Sequence, residues 1–294
     1  MPAGKIRRTG LALGVALATV LAGAPAAVAA PVPAAPAPIA AALDAPPPGA
    51  NDWSCRPSKA HPYHVVLVPG TFESMLKNWS TLSPVLKQAG YCVFSLNYGI
   101  TNGVPATGPI EESAKELAVF VAAVLKATKA PKVDLVGHSQ GGMMPRQYLA
   151  FGGGSSKVHA LVGIAPFNHG TTGLLVPDSG LGGPGSANPL CQACVDQQAG
   201  SPFLTRLNAR GDVVPGPSYT VISTRNDEVV TPYTSQALPG PKRQVTNIVI
   251  QDVCPLDPIE HDQAPNDPVV HQLVLEALSH RTGPADPAYR PVCA

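Results

Sequence analysis

Charge is scarce in this sequence. Only 13 % of its 294 residues are Asp, Glu, Lys or Arg, roughly half the usual share of about 25 %, and the formal net charge is +1. Nucleic-acid binding normally leaves a basic patch or stripe, so this balance argues against such a partner. Aromatic residues are few as well, at 5 %. The sequence also has no long unbroken apolar run. Residues 11–24 come nearest, but Gly14 and Gly23 interrupt them, Pro25 follows, and no basic stop-transfer cluster comes after. A bilayer span needs about 20 largely uninterrupted apolar residues, so a stable membrane anchor is not expected. There is no internal repeat. What the chain does have is 45 % hydrophobic residues, enough for a sizeable core, with 28 Gly and 34 Pro, the prolines partly concentrated at residues 31–48.

The front end reads as an export signal. Lys5, Arg7 and Arg8 form a basic start, residues 11–24 are apolar, and Ala27-Val28-Ala29 is a small-residue cleavage pattern. The expected signal covers residues 1–29, and the Arg7-Arg8 pair leaves the general and the twin-arginine routes both open. A Pro/Ala-rich segment, 30–50, is expected to be extended and mobile, and a single folded domain covers 51–294. All six cysteines, Cys55, Cys92, Cys191, Cys194, Cys254 and Cys293, follow the signal. An even number in an exported chain points to three disulfides, whose pairing spacing alone does not settle.

From residue 52 onward, short apolar runs alternate with helical segments. Strands are predicted at 64–68, 91–96, 133–136, 160–165, 219–223 and 246–251, runs with little polar alternation that suit parallel strands covered on both faces. The clearest helix spans 109–129: Pro109 opens it, Glu111 and Glu112 sit in its first turn, and Lys126 and Lys129 in its last, all matching the helix dipole. Shorter helices are predicted at 82–89, 142–149, 202–207 and 268–278. This pattern implies an α/β fold, an open and mostly parallel sheet of about six strands with helices on both faces. Residues 169–200 are rich in Gly and Pro and read as a long loop, a place where function is often found.

The strongest chemical signal is Gly137-His138-Ser139-Gln140-Gly141, directly after a predicted strand and before a predicted helix. In that setting G-x-S-x-G is a sharp turn that lifts the serine hydroxyl to the C-terminal edge of the sheet, so Ser139 is the candidate nucleophile. A serine needs a base, and the base an orienting carboxylate. The elbow architecture places them in the order Ser, acid, His. Asp227, just past the strand at 219–223, is the candidate acid. Glu228 is its neighbouring rival, and Asp212 lies before that strand, at the wrong end. His261, after the last strand, is the candidate base. His271 and His280 lie on or after the last helix, His138 is within the elbow, and His169 precedes the acid. Thr71, in the turn closing the first strand, and Gln140, after the nucleophile, are the candidate oxyanion donors.

These motifs, Val-Leu-Val-Pro-Gly-Thr-Phe at 66–72 and Gly-His-Ser-Gln-Gly-Gly at 137–142, recur with Ala-Pro-Phe-Asn-His-Gly-Thr at 165–171, Gln-Ala-Gly-Ser-Pro-Phe-Leu at 198–204 and Thr-Arg-Asn-Asp-Glu-Val-Val-Thr-Pro at 224–232. Together they resemble the secreted bacterial triacylglycerol lipases, lipase class 2, of the α/β-hydrolase superfamily. Pro69-Gly70 before the oxyanion residue and Ser-Gln-Gly-Gly resemble the fungal lipase B type instead. The resemblance implies an α/β-hydrolase fold, a Ser139, Asp227, His261 triad, and disulfides Cys55–Cys92, Cys191–Cys194 and Cys254–Cys293.

Cys191 and Cys194 also form a C-x-x-C, which reads as a small local disulfide rather than a redox or metal site. Asp252, Asp257, Glu260, Asp262 and Asp267 surround the base; they read as loop carboxylates, with a structural calcium the less favoured alternative. The expectation is a secreted, monomeric, cofactor-free serine hydrolase acting on lipid esters at a transient lipid–water interface. A short-chain carboxylesterase or polyester hydrolase with the same triad is the nearest alternative, and a non-catalytic binding protein on the same scaffold the remote one.

Overall fold

The computed structural model describes residues 45–173 and 188–293, besides Met1. The expected export signal and most of the Pro/Ala-rich segment lie outside them. The end of that segment is packed against the folded unit: Ala50 forms a parallel bridge to Val93, and Ser83 Oγ donates to the Pro48 carbonyl.

Six strands form one sheet: β1 (His64–Val68), β2 (Val93–Ser95), β3 (Val133–His138), β4 (Val158–Ile164), β5 (Ser218–Ser223) and β6 (Val245–Val249). Their order is β2-β1-β3-β4-β5-β6, and every pairing is parallel. The eight α-helices among the described residues are α1 (Met75–Trp79), α2 (Leu82–Gln88), α3 (Ile110–Thr128), α4 (Gln140–Phe151), α5 (Gln192–Asp196), α6 (Pro202–Asn208), α7 (Ile250–Val253) and α8 (Pro268–Ser279).

The strands are largely buried, and mostly apolar, because both sheet faces are covered. Alternate residues of β1 divide between two cores. Val66 and Val68 pack with Leu117, Val121 and Val124 of α3 and Met143 of α4. Val65 and Leu67 pack with Leu82 and Leu86 of α2 and Leu273 and Val274 of α8. The period-2 projection of a strand thus places helices on both sides.

Most departures from the sequence reading lie at element ends, but nothing in that reading predicts the short helix α1 (Met75–Trp79). α4 begins at Gln140, directly after Ser139, two residues before the predicted start. Residues 250–251, predicted to extend the last strand, open α7 instead. Pairing between β5 and β6 ends at Ser223 and Val249, so the chain beyond has no neighbour and closes its own hydrogen bonds as a helical turn. β2 keeps only three residues of the predicted six. Part of the predicted loop at 169–200 is the short helix α5; residues 174–187 lie outside the described set.

All three disulfides implied by the resemblance are present: Cys55–Cys92, Cys191–Cys194 and Cys254–Cys293, with Cα–Cα distances of 5.9, 5.3 and 5.5 Å. The last ties the C-terminal tail to the end of α7.

His64 is fully buried in β1, and neither of its ring nitrogens has a hydrogen-bond partner. Burial lowers its pKa from 6.5 to about 4, helped by the charge of Arg56. The unfolded chain therefore takes up a proton that the folded chain refuses. Stability linked to His64 is present above about pH 6.5, declines as the pH falls, and is lost by about pH 4. His64→Leu should flatten the fall of Tm over that window. A variant whose Tm falls as steeply as the parent's would show that His64 does not set the acid response.

Candidate active site

The site is assembled where the C-terminal ends of β1, β3 and β5 meet. At the elbow, three pieces of backbone come too close for side chains. A Cβ on Gly137 would lie 1.8 Å from the Gly141 carbonyl oxygen, and one on Gly141 would lie 2.1 Å from that of Val68. Both glycines of G-x-S-x-G are sterically required. Ser139 pays for the tight turn with φ 57° and ψ −123°, an unusual conformation for a residue with a Cβ. Its side chain is lifted clear of the sheet at the N-terminus of α4, where developing negative charge is favoured.

The structure brings Ser139, Asp227 and His261 together from loops more than 30 residues apart. His261 Nε2 lies 3.0 Å from Ser139 Oγ, and His261 Nδ1 lies 2.8 Å from Asp227 Oδ2. All three side chains are buried. Asp227 is held from four directions. Its Oδ1 accepts from the Val229 and Val230 N–H groups at 2.9 and 2.7 Å, and its Oδ2 also accepts from Gln236 Nε2 at 2.8 Å. A carboxylate with these donors can only accept, so His261 Nδ1 carries a proton and Nε2 is left to take one from Ser139. The rings of Phe167 and His261 also meet nearly at right angles, with centroids 6.0 Å apart.

The rival groups are placed elsewhere. Glu228 lines the mouth of the cleft, but His261 bonds Asp227. Asp212 joins Arg146 and His169. His271 bonds the Pro265 carbonyl, and His280 bonds Glu276. Four of the five acids weighed for calcium are separately engaged: Asp252 with Arg225, Asp257 and Glu260 with nearby backbone N–H groups, and Asp267 as the N-cap of α8; the fifth, Asp262, lines the cleft. Among the described residues, no group of three or more His, Cys, Asp or Glu is arranged to hold a metal ion.

Thr71 and Gln140 flank Ser139. In the turn after β1, Pro69 has no N–H, the Gly70 N–H is taken by Asn78 Oδ1 at 2.8 Å, and the Phe72 N–H by the Pro105 carbonyl at 3.2 Å. The Thr71 N–H is the one the turn leaves for the site. The Thr71 hydroxyl oxygen accepts from two carboxamides, Gln140 Nε2 and Gln197 Nε2, both at 2.9 Å. With both lone pairs used, the hydroxyl can only donate its own proton. The nearest acceptor of its own is Gln197 Oε1, at a long 3.3 Å. Sequence reasoning missed Gln197 and Gln236. Gln197 adjoins a family-like motif, which was a signal of sorts, whereas nothing marked Gln236.

The cleft encloses about 280 Å³, with Phe72, Phe167 and Val229 among its apolar walls and Glu73, Glu228 and Asp262 among its polar ones. A larger groove of about 500 Å³ between α3 and α4 contains no serine or histidine.

The family model described as lipase (class 2) matches residues 62–274. Among solved structures, lipase B of Aspergillus fumigatus superposes with a TM-score of 0.67 at 21 % identity, over 83 % of this chain and 57 % of that one. The propeptide form of the Bacillus licheniformis lipase BlEst2 gives 0.55 at 15 %, over 84 % and 55 %. Est1E of Butyrivibrio proteoclasticus with bound ferulic acid gives 0.51 at 14 %, over 78 % and 88 %. The chain thus spans little more than half the length of the first two. These likenesses establish the α/β-hydrolase fold.

Donors aimed at an oxygen matter most when that oxygen becomes an anion. Thr71→Val, which keeps the amide and the shape, should therefore lower kcat roughly 10- to 10³-fold on an ester substrate, and Thr71→Ser should restore most of it. Wild-type kcat in the Val variant, at unchanged Tm, would leave the hydroxyl without a role.

Proposed function

We propose, on the premise that this chain belongs to the lipase (class 2) family, that it is an exported serine hydrolase cleaving the carboxylic esters of lipids, triacylglycerols first among them. Membership makes the chain a carboxylic-ester hydrolase of the lipase and esterase group. The observation that carries the reading further is the continuous hydrogen-bond line from Asp227 Oδ2 through His261 to Ser139 Oγ.

In this reading His261 Nε2 takes the Ser139 proton as Oγ attacks the ester carbonyl carbon. Asp227 holds the ring in that tautomer and stabilises the imidazolium. The carbonyl oxygen becomes an oxyanion facing the N–H groups of Thr71 and Gln140 and the Thr71 hydroxyl. Collapse of the intermediate expels the alcohol, which leaves with the proton from His261. Water then adds to the acyl-enzyme, giving its proton to His261, and the acid is released as Ser139 recovers a proton. Every step uses residues of this chain, and the reaction calls for no cofactor.

A lipid surface as the place of action is supported by exposed apolar side chains beside the oxyanion turn. Phe72, Ile100, Val104 and Leu190 are all exposed. The bond from Phe72 N–H to the Pro105 carbonyl draws Phe72 towards Val104, and that from Asn102 Nδ2 to the Pro189 carbonyl draws the loop of Ile100 and Val104 towards Leu190. Export is supported by the N-terminal pattern of the sequence and the three disulfides. Among the described residues, no helix is long and apolar enough to cross a membrane. A cleft of about 280 Å³ is small for a long acyl chain, which favours short and medium chains and keeps the short-chain esterase as a second reading.

Ser139→Ala should fold normally, fail to react with an active-site phosphonate, and keep at most the roughly 10³- to 10⁴-fold acceleration that binding and the oxyanion donors supply. Phosphonate labelling of the variant would place the nucleophile elsewhere, and failure to label the wild type would favour a binding protein. Rates over p-nitrophenyl esters of rising chain length, alongside emulsified triacylglycerol, divide the two ester readings. Hydrolysis of emulsions is expected, and activity confined to soluble short esters would make the chain a carboxylesterase.

A further inference from the structure

His138, the variable residue inside G-x-S-x-G, is buried against the site, yet its ring does no part of the proton transfer described above. Its Nε2 lies 3.0 Å from the backbone carbonyl oxygen of His261, and its Nδ1 lies 3.1 Å from Asn78 Nδ2. Asn78 Oδ1 accepts the Gly70 N–H at 2.8 Å. Both side chains are almost wholly inaccessible to solvent. A line of three hydrogen bonds therefore joins the turn that presents Thr71 to the backbone that presents His261, passing directly behind Ser139.

The chemistry of the two ends leaves only one proton arrangement along this line. The Gly70 N–H can only donate, so the Asn78 atom facing it is the oxygen and the atom facing His138 is the amide nitrogen. That nitrogen donates, so His138 Nδ1 must be bare. The His261 carbonyl can only accept, so His138 Nε2 must carry the proton. A proton on Nδ1 would set N–H against N–H₂ and break the line. Burial, and then the neighbouring His261, hold the His138 pKa well below its usual value, so the neutral ring persists at neutral pH.

We propose that Asn78 and His138 are positioning residues for this reaction: they lock the oxyanion turn to the backbone of the base. The inference rests on the reading of Ser139 as nucleophile and His261 as base. Three elements that approach one another only in the folded chain must hold their reacting atoms in register: the turn after β1, the elbow after β3 and the loop carrying His261. The hydrogen bonds cross between them where no sheet pairing does. In this dry setting each bond polarises the next, and loss of the middle member leaves a buried donor and a buried acceptor unpaired. The cost falls on the geometry of the transition state. Both ring nitrogens of His138 are engaged by Asn78 and the His261 backbone and not by the ester, so the effect belongs in kcat more than in KM.

The test uses the whole protein, a soluble p-nitrophenyl ester, and phosphonate titration to count competent sites. His138→Leu should lower kcat per titrated site roughly 10- to 100-fold, the order expected of a small misplacement, with KM little changed. His138→Gln, whose carboxamide can both accept and donate, should recover most of the loss. Asn78→Leu should behave like His138→Leu, and the double variant should be no worse than the poorer single one. A second readout needs no activity and no disruptive change. Nitrogen-15 spectra of the wild type should show His138 with Nε2 protonated and Nδ1 bare, and Asn78→Asp should protonate both nitrogens. An Nδ1-protonated neutral ring in the wild type would overturn the relay. So would normal kcat in His138→Leu with Ser139 still labelled, or additive losses in the double variant. Absence of labelling at Ser139 in the wild type would instead refute the functional reading beneath it.

Discussion

The arrangement depends on one steric constraint, the contact of three backbone segments around Ser139. Gly137, Gly141 and the end of β1 lie at distances that no side chain can share, and the serine between them is held in a conformation that a free chain would leave. The sheet and its two cores supply the force that keeps it there. β3 lies between β1 and β4 and is paired with both, and α4 is packed against the α3 face of the sheet. Because the elbow cannot relax, the hydroxyl it carries is aimed before any substrate arrives, and other groups can be positioned against a fixed point.

Those other groups are held by polar bonds rather than by packing. Asp227 has four acceptor contacts, one from Gln236. The carbonyl of Gln236 accepts from Asn168 Nδ2 at 2.6 Å, and the carbonyl of Asn168 accepts from Arg146 Nη1 at 2.9 Å. Arg146 lies on α4, so a polar path leads from the helix behind Ser139, around the site, to Asp227. Its guanidinium is buried, which lowers its pKa to about 10, while Asp212 favours its charge. A buried charge contributes little net stability, but once every donor is paired it specifies one arrangement and penalises others. Thr71, held by Gln140 and Gln197, follows the same logic on the opposite side.

The scarcity of charge fits this plan. With 13 % charged residues, little of the fold's coherence comes from surface ion pairs, which are weak in any case. Two apolar cores and three disulfides carry it. Cys191–Cys194 closes the start of α5, whose C-cap residue is Gln197, so a covalent bond lies next to the support of Thr71. Cys254–Cys293 braces the end of α7, from which the chain runs on to His261.

By itself the sequence determined the features that are local or periodic. Apolar runs marked the six strands, dipole-matched charges marked α3, and the glycines around Ser139 marked the elbow. The choice of Asp227 and His261 followed from the Ser, acid, His order of the elbow architecture and from which strand ends share an edge. What the sequence did not contain was the set of single polar residues that hold these side chains in place. Asn78, Gln197 and Gln236 lie in short or irregular segments, carry no period and resemble any surface amide until the chain is folded. The same holds for the length of α7 and for the state of His138, a residue that is one position of a motif in the sequence and the middle of a hydrogen-bond line in space. A hydrogen bond needs its two atoms within about 3 Å and correctly oriented. For partners 60 or 123 residues apart, only the packing of the whole sheet against its helices can bring that about.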